Sequence, residues 1–193
     1  MTKLKIGLIG EDPNDTNSIQ NLLIRKYSEK VYFKKLIRNI KGFYLDNPKT
    51  LRSLEIEFED QKPFFVIVIR DLDGLPEDSA KIGVITNWFG SINKKLNNTG
   101  IFLLNIFELE ALIFANIDVF NKAYKTKIKQ NRNPMYIKEP KEELMRKSRQ
   151  VNIKKEYEES HAPAIFEKLD LDVLAKNCLY FRQFMDAFEK QLS

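Results

Sequence analysis

Apolar residues fall into short runs that predict β-strands in the first half of the chain. Residues 4–10 alternate and then become continuously apolar, and residues 101–104 form a similar run. Residues 64–69 give the clearest strand. They are apolar on both faces, which predicts a position in the middle of a parallel sheet with helices on each side. The stretch from residue 31 to residue 40 predicts a longer strand that ends at Gly42.

Between these runs, apolar residues recur at spacings of three and four, which predicts amphipathic helices. The first three helices are indicated by Ile19, Leu22, Leu23 and Tyr27, by Leu51, Leu54 and Phe58, and by Ile82, Ile85, Trp88, Phe89, Ile92 and Leu96. A fourth helix is predicted from about residue 106 to 115, with closing helices over residues 164–169 and 180–188. The alternation predicts an α/β fold with a mostly parallel central sheet flanked by helices. We expect a single domain over residues 1–193, with an α/β core at 1–121 and a basic, mainly helical extension at 122–193.

The composition is 43% hydrophobic and 31% charged, which is typical of a folded protein and not of a disordered one. Cys178 is the only cysteine in the sequence, so no intramolecular disulfide can form and a reducing compartment is expected. The chain enters a strand-like segment directly, without a signal-peptide pattern, and its longest apolar runs are too short to span a membrane. These features predict a cytoplasmic protein with no membrane association.

The net charge of +5 is unevenly distributed. Residues 122–155 contain twelve Lys or Arg against three Asp or Glu, so this stretch carries +9 and the rest of the chain carries −4. An acidic body with one basic stretch suits a protein that keeps a carboxylate site for a metal and also attracts a polyanion. The alternative is a solvated, lysine-rich surface. If the stretch binds nucleic acid, the candidate contacts are Lys147, Arg149, Lys154 and Lys155.

Acidic residues follow three of the predicted strands. Ligands in open α/β sheets bind outside the carboxyl ends of the strands, so we expect these acids to converge at one edge of the sheet. They are Glu11, Asp12 and Asp15 after the first strand, Asp71 and Asp73 after the central strand, and Glu108 and Glu110 after the fourth. Pro13 and Asn14, which lie between the first acids, are predicted to form a turn.

Asp71 and Asp73 form an Asp-x-Asp pair directly after the buried central strand. In an extended backbone their side chains would point to the same side, and Gly74 would let the chain turn away. Mg²⁺ takes one or two carboxylates together with water and phosphate oxygens, so the pair predicts a site for Mg²⁺ (or Mn²⁺). An ordinary acidic turn is the alternative, because Asp and Gly are common turn residues.

Glu110 is unusual because, on the predicted fourth helix, it shares a mostly apolar face with Phe107 and Phe114. A buried carboxylate must be paired, protonated or bound to a metal. A structural salt bridge to Arg70 or to a lysine is therefore the alternative to metal ligation. Glu108 is predicted in the first turn of the same helix, where the helix dipole favours an acid.

These motifs, taken in order, resemble the Toprim domain of topoisomerases, primases and OLD-type nucleases. The nearer resemblance is to a Toprim-like family of unknown function whose members include the nuclease subunit of PARIS-type anti-phage systems. The matching stretches are Glu-Asp-Pro-Asn-Asp at 11–15, Arg-Asp-Leu-Asp-Gly at 70–74, Glu-Leu-Glu-Ala-Leu-Ile at 108–113, and the closing stretch from Ala-Pro-Ala-Ile at 162–165 to Cys-Leu-Tyr-Phe-Arg at 178–182. Asp12 stands where that family has a glycine, and Leu112 where it has an aromatic residue.

The resemblance implies a Toprim-like fold and a Mg²⁺-dependent nuclease that acts on DNA or RNA as an effector of anti-phage defence. It implies that Glu11 serves as general acid/base or as a ligand, and that the metal ligands come from Asp71, Asp73, Glu110, Glu108 and Asp15. The family often has a lysine before its closing helices. Lys154 or Lys155 fills that place, which makes Lys155 a candidate catalytic residue. The resemblance also leaves room for an ATPase partner protein and for a homo-oligomer.

Two other functions stay open. Residues 6–13 also resemble the opening of a response-regulator receiver with Asp71 as phosphate acceptor, although Asp73 and the acids after the fourth strand have no role in such a domain. An inactive Toprim-like domain that only binds a partner would keep the same acids. His161, the only histidine in the sequence, is predicted to be structural or to lie in a loop, because no Ser or Cys motif accompanies it.

Overall fold

The computed structural model describes residues 2–37, 45, 47–129 and 133–193. Within these residues the strands are β1 (Leu4–Ile9), β2 (Val31–Lys35), β3 (Phe65–Asp71) and β4 (Gly100–Asn105). They form one parallel sheet in the order β2-β1-β3-β4, which confirms the predicted α/β class and the parallel central sheet. The second strand is shorter than predicted, because β2 ends at Lys35 and the chain bends at Leu36 and Ile37. The rest of its predicted course, residues 38–42, lies outside the described residues.

The pairing of β1 with β3 determines where the acids meet. Ile6 lies opposite Phe65 and Ile9 opposite Val68, so both strands end at the same edge of the sheet. From β1 the chain moves outward to β2, and it then returns past β1 to build β3 and β4 on the other side. The crevice between β1 and β3 is therefore the point at which the strand order reverses, where ligands of open α/β sheets usually bind.

Helices cover both faces of the sheet. They are α1 (Pro13–Tyr27), α2 (Pro48–Gln61), α3 (Ser79–Lys95), α4 (Ala111–Ala115), α5 (Ile117–Tyr124), α6 (Pro140–Val151), α7 (Ala162–Phe166), α8 (Leu171–Asn177) and α9 (Leu179–Leu192), with 3-10 turns at Pro134–Tyr136, Ile153–Lys155 and Glu159–His161. Helices α2 and α3 pack with Val66 and Val68 on one face. Helix α1 and the helices after β4 pack with Phe65 and Ile67 on the other. No helix among the described residues combines the length and the apolar character needed to cross a bilayer.

The chain leaves β4 differently from the prediction. The fourth helix was expected from residue 106, but Phe107 has a left-handed backbone with φ 60° and the helix begins only at Ala111. Phe107 consequently packs in a separate cluster with Leu72 and Ile106, and it does not share a helical face with Glu110 and Phe114 as predicted. A bulky residue with positive φ is uncommon, and such strained positions tend to occur near functional sites.

The exit from β3 also differs. Residue Asp73, and not Gly74, adopts the left-handed conformation, with φ 49°. The backbone has already left the extended form at this point, so the prediction that the side chains of Asp71 and Asp73 share one side of a strand is wrong. Asp73 is exposed; its N–H donates to the Phe107 carbonyl at 3.1 Å, and its carbonyl accepts from Lys81.

The C-terminal helices are packed directly on the α/β core, with α7 against α1 and α9 against β4. The Phe188 ring of α9 is fully buried, and it contacts the Phe65 ring of β3 at 5.6 Å between centroids and the Tyr27 ring of α1 at 5.0 Å. A cluster that joins both ends of the chain to the central strand predicts that the described parts unfold as one unit.

We expect Phe188→Ala to lower the free energy of unfolding by about 3–5 kcal/mol, because it removes a large buried ring and leaves a cavity. Leu179→Ala on the same helix is the matched control, since Leu179 is 42% exposed and its truncation should cost less than about 1 kcal/mol. Chemical denaturation followed by circular dichroism and by Trp88 fluorescence should give one coincident transition. Two separate transitions would contradict a single domain.

Candidate metal centre

An acidic cleft opens at the edge of the sheet where β1 and β3 end. Its volume is about 280 Å³, and it is lined by Glu11, Asp12, Asp15, Asp71, Glu108, Glu110, Lys141 and Glu159. Seven of these eight residues are acids, so the potential in the cleft is strongly negative. We refer to these eight residues as the acidic cleft.

Asp71 is the last residue of β3 and lies at the inner end of the acidic cleft. Its Oδ1 accepts a hydrogen bond of 2.9 Å from Asn105 Nδ2 on the neighbouring strand. Burial, followed by the charge of Asp15, raises the pKa of Asp71 well above its usual range, although the Asn105 hydrogen bond acts in the opposite direction. The Asn105 amide is itself buried, and its Oδ1 has no hydrogen-bond partner among the described residues.

Asp12 and Asp15 are placed by the start of α1. The helix begins at Pro13, so the residues predicted as a turn form its first turn instead. Asp12 accepts from the Asn14 N–H at 2.7 Å and Asp15 accepts from the Asp12 N–H at 3.1 Å, which is a capping box. Burial raises the pKa of Asp15 well above its usual range, and the charge of Glu110 raises it further.

Glu110 immediately precedes α4, and only 6% of its surface is exposed. Its Oε1 accepts a hydrogen bond of 3.1 Å from the Tyr157 hydroxyl. Burial raises the pKa of Glu110 to about 7, with a smaller contribution from the charge of Glu108. The alternative expected from the sequence was a structural salt bridge from Glu110 to Arg70 or to a lysine. Arg70 forms an ion pair with Glu11, and the charge of Lys141 acts on Glu110 and lowers its pKa, but by less than burial raises it.

Glu108 was predicted in the first turn of its own helix, but it lies against the first turn of α6 instead. Its Oε2 accepts from the Lys141 N–H at 3.3 Å, and its Oε1 is 3.5 Å from Lys141 Nζ. Glu108 therefore accepts a hydrogen bond from a backbone N–H in the first turn of α6 that has no acceptor within the helix. The positive end of the helix dipole also stabilises the negative charge of Glu108. Lys141 Nζ is also 3.8 Å from Glu159. Burial lowers the pKa of Lys141, but the surrounding carboxylates, led by Glu108, raise it above its ordinary value overall.

Glu11 lines the acidic cleft and is held by an ion pair with Arg70. The Arg70 Nε atom lies 3.1 Å from Glu11 Oε1, and the Arg70 guanidinium sits 4.1 Å from the centre of the Trp88 ring. Both partners of this ion pair are about four-fifths buried. Stacking on Trp88 limits the rotamers of Arg70, and through the ion pair it also limits those of Glu11.

The structure brings five of the predicted site residues together: Glu11, Asp15, Asp71, Glu108 and Glu110 all line the acidic cleft. Asp73 does not line it. Neither does Lys155, which lines a second cavity together with Lys154. Among the other predicted nucleic-acid contacts, Arg149 is 2.6 Å from Glu156 and Lys147 lies half-buried on α6.

Sequence reasoning missed three residues of the site. Asn105 ends β4 beside Asp71, and its position after an apolar strand was a usable signal. Lys141 lies within the basic stretch and Tyr157 just after it, and neither gave a comparable signal, because they reach the acidic cleft only through the packing of α6 and the segment after it.

The acidic cleft fits a hard divalent cation by its donors and by its charge. Carboxylate and amide oxygens are the ligands that Mg²⁺ and Mn²⁺ prefer, and a cation would offset the burial and the mutual repulsion that together raise the pKa values of Asp15 and Asp71. The carboxylates do not form a finished ligand set, because within residues 2–37, 45, 47–129 and 133–193 no three His, Cys, Asp or Glu side chains are arranged to hold one ion. Mutual repulsion between like charges favours this wider spacing.

A family model described as a domain of unknown function, DUF4276, matches residues 10–189. The chain belongs to the DUF4276 family. The match includes every residue of the acidic cleft, so the whole candidate metal centre lies within the DUF4276 domain. No curated protein and no solved structure gives a significant match to the chain.

The buried carboxylates of this DUF4276 protein predict a pH-dependent stability. The pKa of Glu110 is raised from 4.5 to about 7 in the folded state, so its contribution to stability is complete below pH 4.5 and is lost as the pH rises through about 7. Relative to Glu110→Gln, the wild type should lose up to about 3 kcal/mol of unfolding free energy across this interval in buffer with EDTA.

The measurement is denaturant unfolding of both proteins at a series of pH values from 4.5 to 8. Glu110→Gln preserves the acceptor for Tyr157 and cannot ionise, so it is a matched reference. A difference between the two proteins that stays constant with pH would contradict the burial of an ionisable Glu110.

Proposed function

We propose that this DUF4276 protein is a Mg²⁺- or Mn²⁺-dependent phosphodiester hydrolase that acts on nucleic acid. The observation that carries the proposal is the meeting of Glu11, Asp15, Asp71 and Glu110 in one cleft where the strand order reverses. The resemblance of the motifs to Toprim-like nucleases supports the same reaction and adds a role in anti-phage defence. The ATPase partner and the homo-oligomer that the resemblance implies stay predictions.

Asp71, Asp15 and Glu110 are the residues that would hold the ion, since all three line the acidic cleft and each has a pKa that burial raises. The Asn105 amide positions Asp71, and the Tyr157 hydroxyl positions Glu110. When bound, Mg²⁺ supplies positive charge that stabilises the anionic transition state of phosphodiester hydrolysis.

Glu11 is the candidate general base. Its ion pair with Arg70 and the stacking of Arg70 on Trp88 position the carboxylate at the wall of the acidic cleft, where it would accept a proton from an attacking water. Lys141 is, among the residues that the structure describes, the cation that lines the acidic cleft, and it takes the place of Lys155 as the candidate catalytic lysine, where it would contact a phosphate oxygen at the scissile bond. Its two carboxylate neighbours, Glu108 and Glu159, hold its ammonium group in place.

A receiver-like phosphorylation of Asp71 is the second candidate function, because Asp71 also ends a central strand beside the acids that follow β1. The negative charge of the residues around Asp71 disfavours its phosphorylation. Glu108 and Glu110 add negative charge to the same cleft and would repel a phosphoryl group on Asp71. A hydrolase that brings a cation with its substrate gains from the same carboxylates.

We expect cleavage of labelled DNA or RNA in Mg²⁺ or Mn²⁺, and Asp71→Asn should lower its rate at least about 100-fold, because it removes a hard anionic ligand. Glu11→Gln should lower the rate by a factor of about 10² to 10⁴ without altering the fold, because it keeps shape and removes the capacity to take a proton. Glu29→Gln is the control. Glu29 is an exposed carboxylate before β2, at the opposite edge of the sheet.

The assay uses single-stranded and double-stranded DNA, RNA and transfer RNA, each with and without candidate ATPase partners. Metal-dependent cleavage that survives Asp71→Asn would place the chemistry elsewhere or in a contaminant. Labelling of Asp71 by a small phosphodonor without cleavage under any metal would favour the receiver. If both activities are missing, the inactive partner-binding domain becomes the better account.

A further inference from the structure

A second and larger cavity lies in the C-terminal half of the chain. It has a volume of about 650 Å³ and is bounded by α5, α7 and the two 3-10 turns at Ile153–Lys155 and Glu159–His161. This size is within the range of small-molecule sites. Its apolar lining is made by Val119, Ala123, Tyr124, Ile153, Ala164 and Ile165. We call it the lysine groove because of the charges at its rim.

Three exposed lysines, Lys154, Lys155 and Lys168, contribute to the lysine groove. One of the two acids that line it, Glu156, forms an ion pair of 2.6 Å with Arg149, which offsets its charge. A ligand of this groove therefore gains from negative charge. The apolar lining excludes a simple inorganic anion as the best fit, because such an ion would leave that surface unused.

Polar groups inside the lysine groove are oriented for recognition. The His161 Nδ1 atom accepts a hydrogen bond of 3.2 Å from the Glu158 N–H and lies 2.9 Å from the Tyr124 hydroxyl. With Nδ1 acting as acceptor, the N–H of the ring is on Nε2. The Tyr124 ring is stacked against Phe120, so it offers a rigid aromatic surface.

The lysine groove and the acidic cleft are neighbours that share one stretch of chain. Glu159 lines the acidic cleft, while Ser160 and His161, the next two residues, line the lysine groove. Tyr157 joins the two sites, because its hydroxyl donates to Glu110 and its ring is 6.1 Å from that of Tyr124. The two cavities therefore lie on either side of the segment from Tyr157 to His161.

We propose that the lysine groove binds one unstacked nucleotide of a nucleic-acid strand, with the base on the apolar lining beside Tyr124 and the phosphate on Lys154, Lys155 and Lys168. The proposal rests on the hydrolase function and deepens it, since it gives the strand a holding site next to the acidic cleft. A nucleotide combines a flat, largely apolar base with an adjacent negative charge. The apolar lining of the lysine groove matches the base, and its lysines match the phosphate. Ile153, which is 73% exposed, is the apolar side chain that such a base would cover.

The test measures binding by the full chain in EDTA, where metal-dependent cleavage cannot occur. The probes are adenosine 5′-monophosphate, adenosine and inorganic phosphate by calorimetry, and a single-stranded trinucleotide with 2-aminopurine by fluorescence. We expect the mononucleotide to bind at least about tenfold more tightly than phosphate or adenosine alone, since only it uses both halves of the groove. The aminopurine fluorescence should rise on binding, because the base leaves the stack with its neighbours in the trinucleotide, which quenches it.

Two variants locate the site. Ile153→Ser should weaken the mononucleotide about fivefold to tenfold, and Lys154→Gln with Lys155→Gln should weaken it about tenfold or more. Lys127→Gln with Lys129→Gln is the matched control; it removes the same charge from exposed positions of the basic stretch that do not line the lysine groove, and should change affinity less than about twofold. Circular dichroism checks that each variant is folded.

The proposal would be overturned if the double variant at Lys154 and Lys155 and the control double variant lost affinity equally, because equal losses would show that the basic stretch attracts anions without a defined site. It would also be overturned if phosphate bound as tightly as the mononucleotide or if the aminopurine signal stayed unchanged. Binding of the free mononucleotide without binding of the trinucleotide would indicate a small-molecule site and reject the strand. None of these binding measurements depends on cleavage. If the protein bound the nucleotide as expected but cleaved no nucleic acid, the hydrolase proposal would fail and the nucleotide site would stand.

Discussion

The parallel pairing of β1 with β3 is the constraint on which the candidate metal centre depends. It brings the end of β1, followed by Glu11, level with the end of β3, so that Glu11 meets Arg70 and the acidic cleft forms beside Asp71. Because β2 and β4 lie on opposite outer sides, no further strand fills the crevice between these two ends. A slip of one residue in this register would turn Asp71 to the other face of the sheet, where α2 and α3 pack, and would take it away from Asp15.

The same arrangement makes the cleft electrostatically costly. Burial raises the pKa values of Asp15, Asp71 and Glu110, and each of these carboxyl groups lies within the field of the others. Structural needs alone do not explain this, because a helix cap requires only one acid and an apolar residue would fill the position of Glu110 at lower cost. Buried like charges with one lysine among them are the pattern expected where a cation or a proton is part of the function.

The local pattern of the sequence was enough to predict the strands, the parallel sheet and the acids at the strand ends, because alternation and apolar runs depend on neighbouring residues. It failed where the backbone left regular structure. The spacing of apolar residues could not predict the left-handed backbone at Asp73 and Phe107. The turn at Asp73 places its side chain outside the acidic cleft, and after the turn at Phe107 the helix α4 begins only at Ala111. Lys141 and Tyr157 were missed for another reason. Their contacts with Glu108 and Glu110 span more than thirty residues and exist only after α6 has packed on the core.

The two cavities carry charges of opposite sign, because acids line most of the acidic cleft and three lysines line the lysine groove. The acidic cleft repels phosphates, so it could not retain a polyanion before a cation neutralised it. The lysine groove attracts phosphates but has no cluster of carboxylates with which to activate water. Tyr157 stands between them, with its hydroxyl on Glu110 and its ring in the aromatic group that includes Tyr124 and His161. Tyr157 is thus a fully buried side chain whose ring packs beside the lysine groove and whose hydroxyl contacts a carboxylate of the acidic cleft.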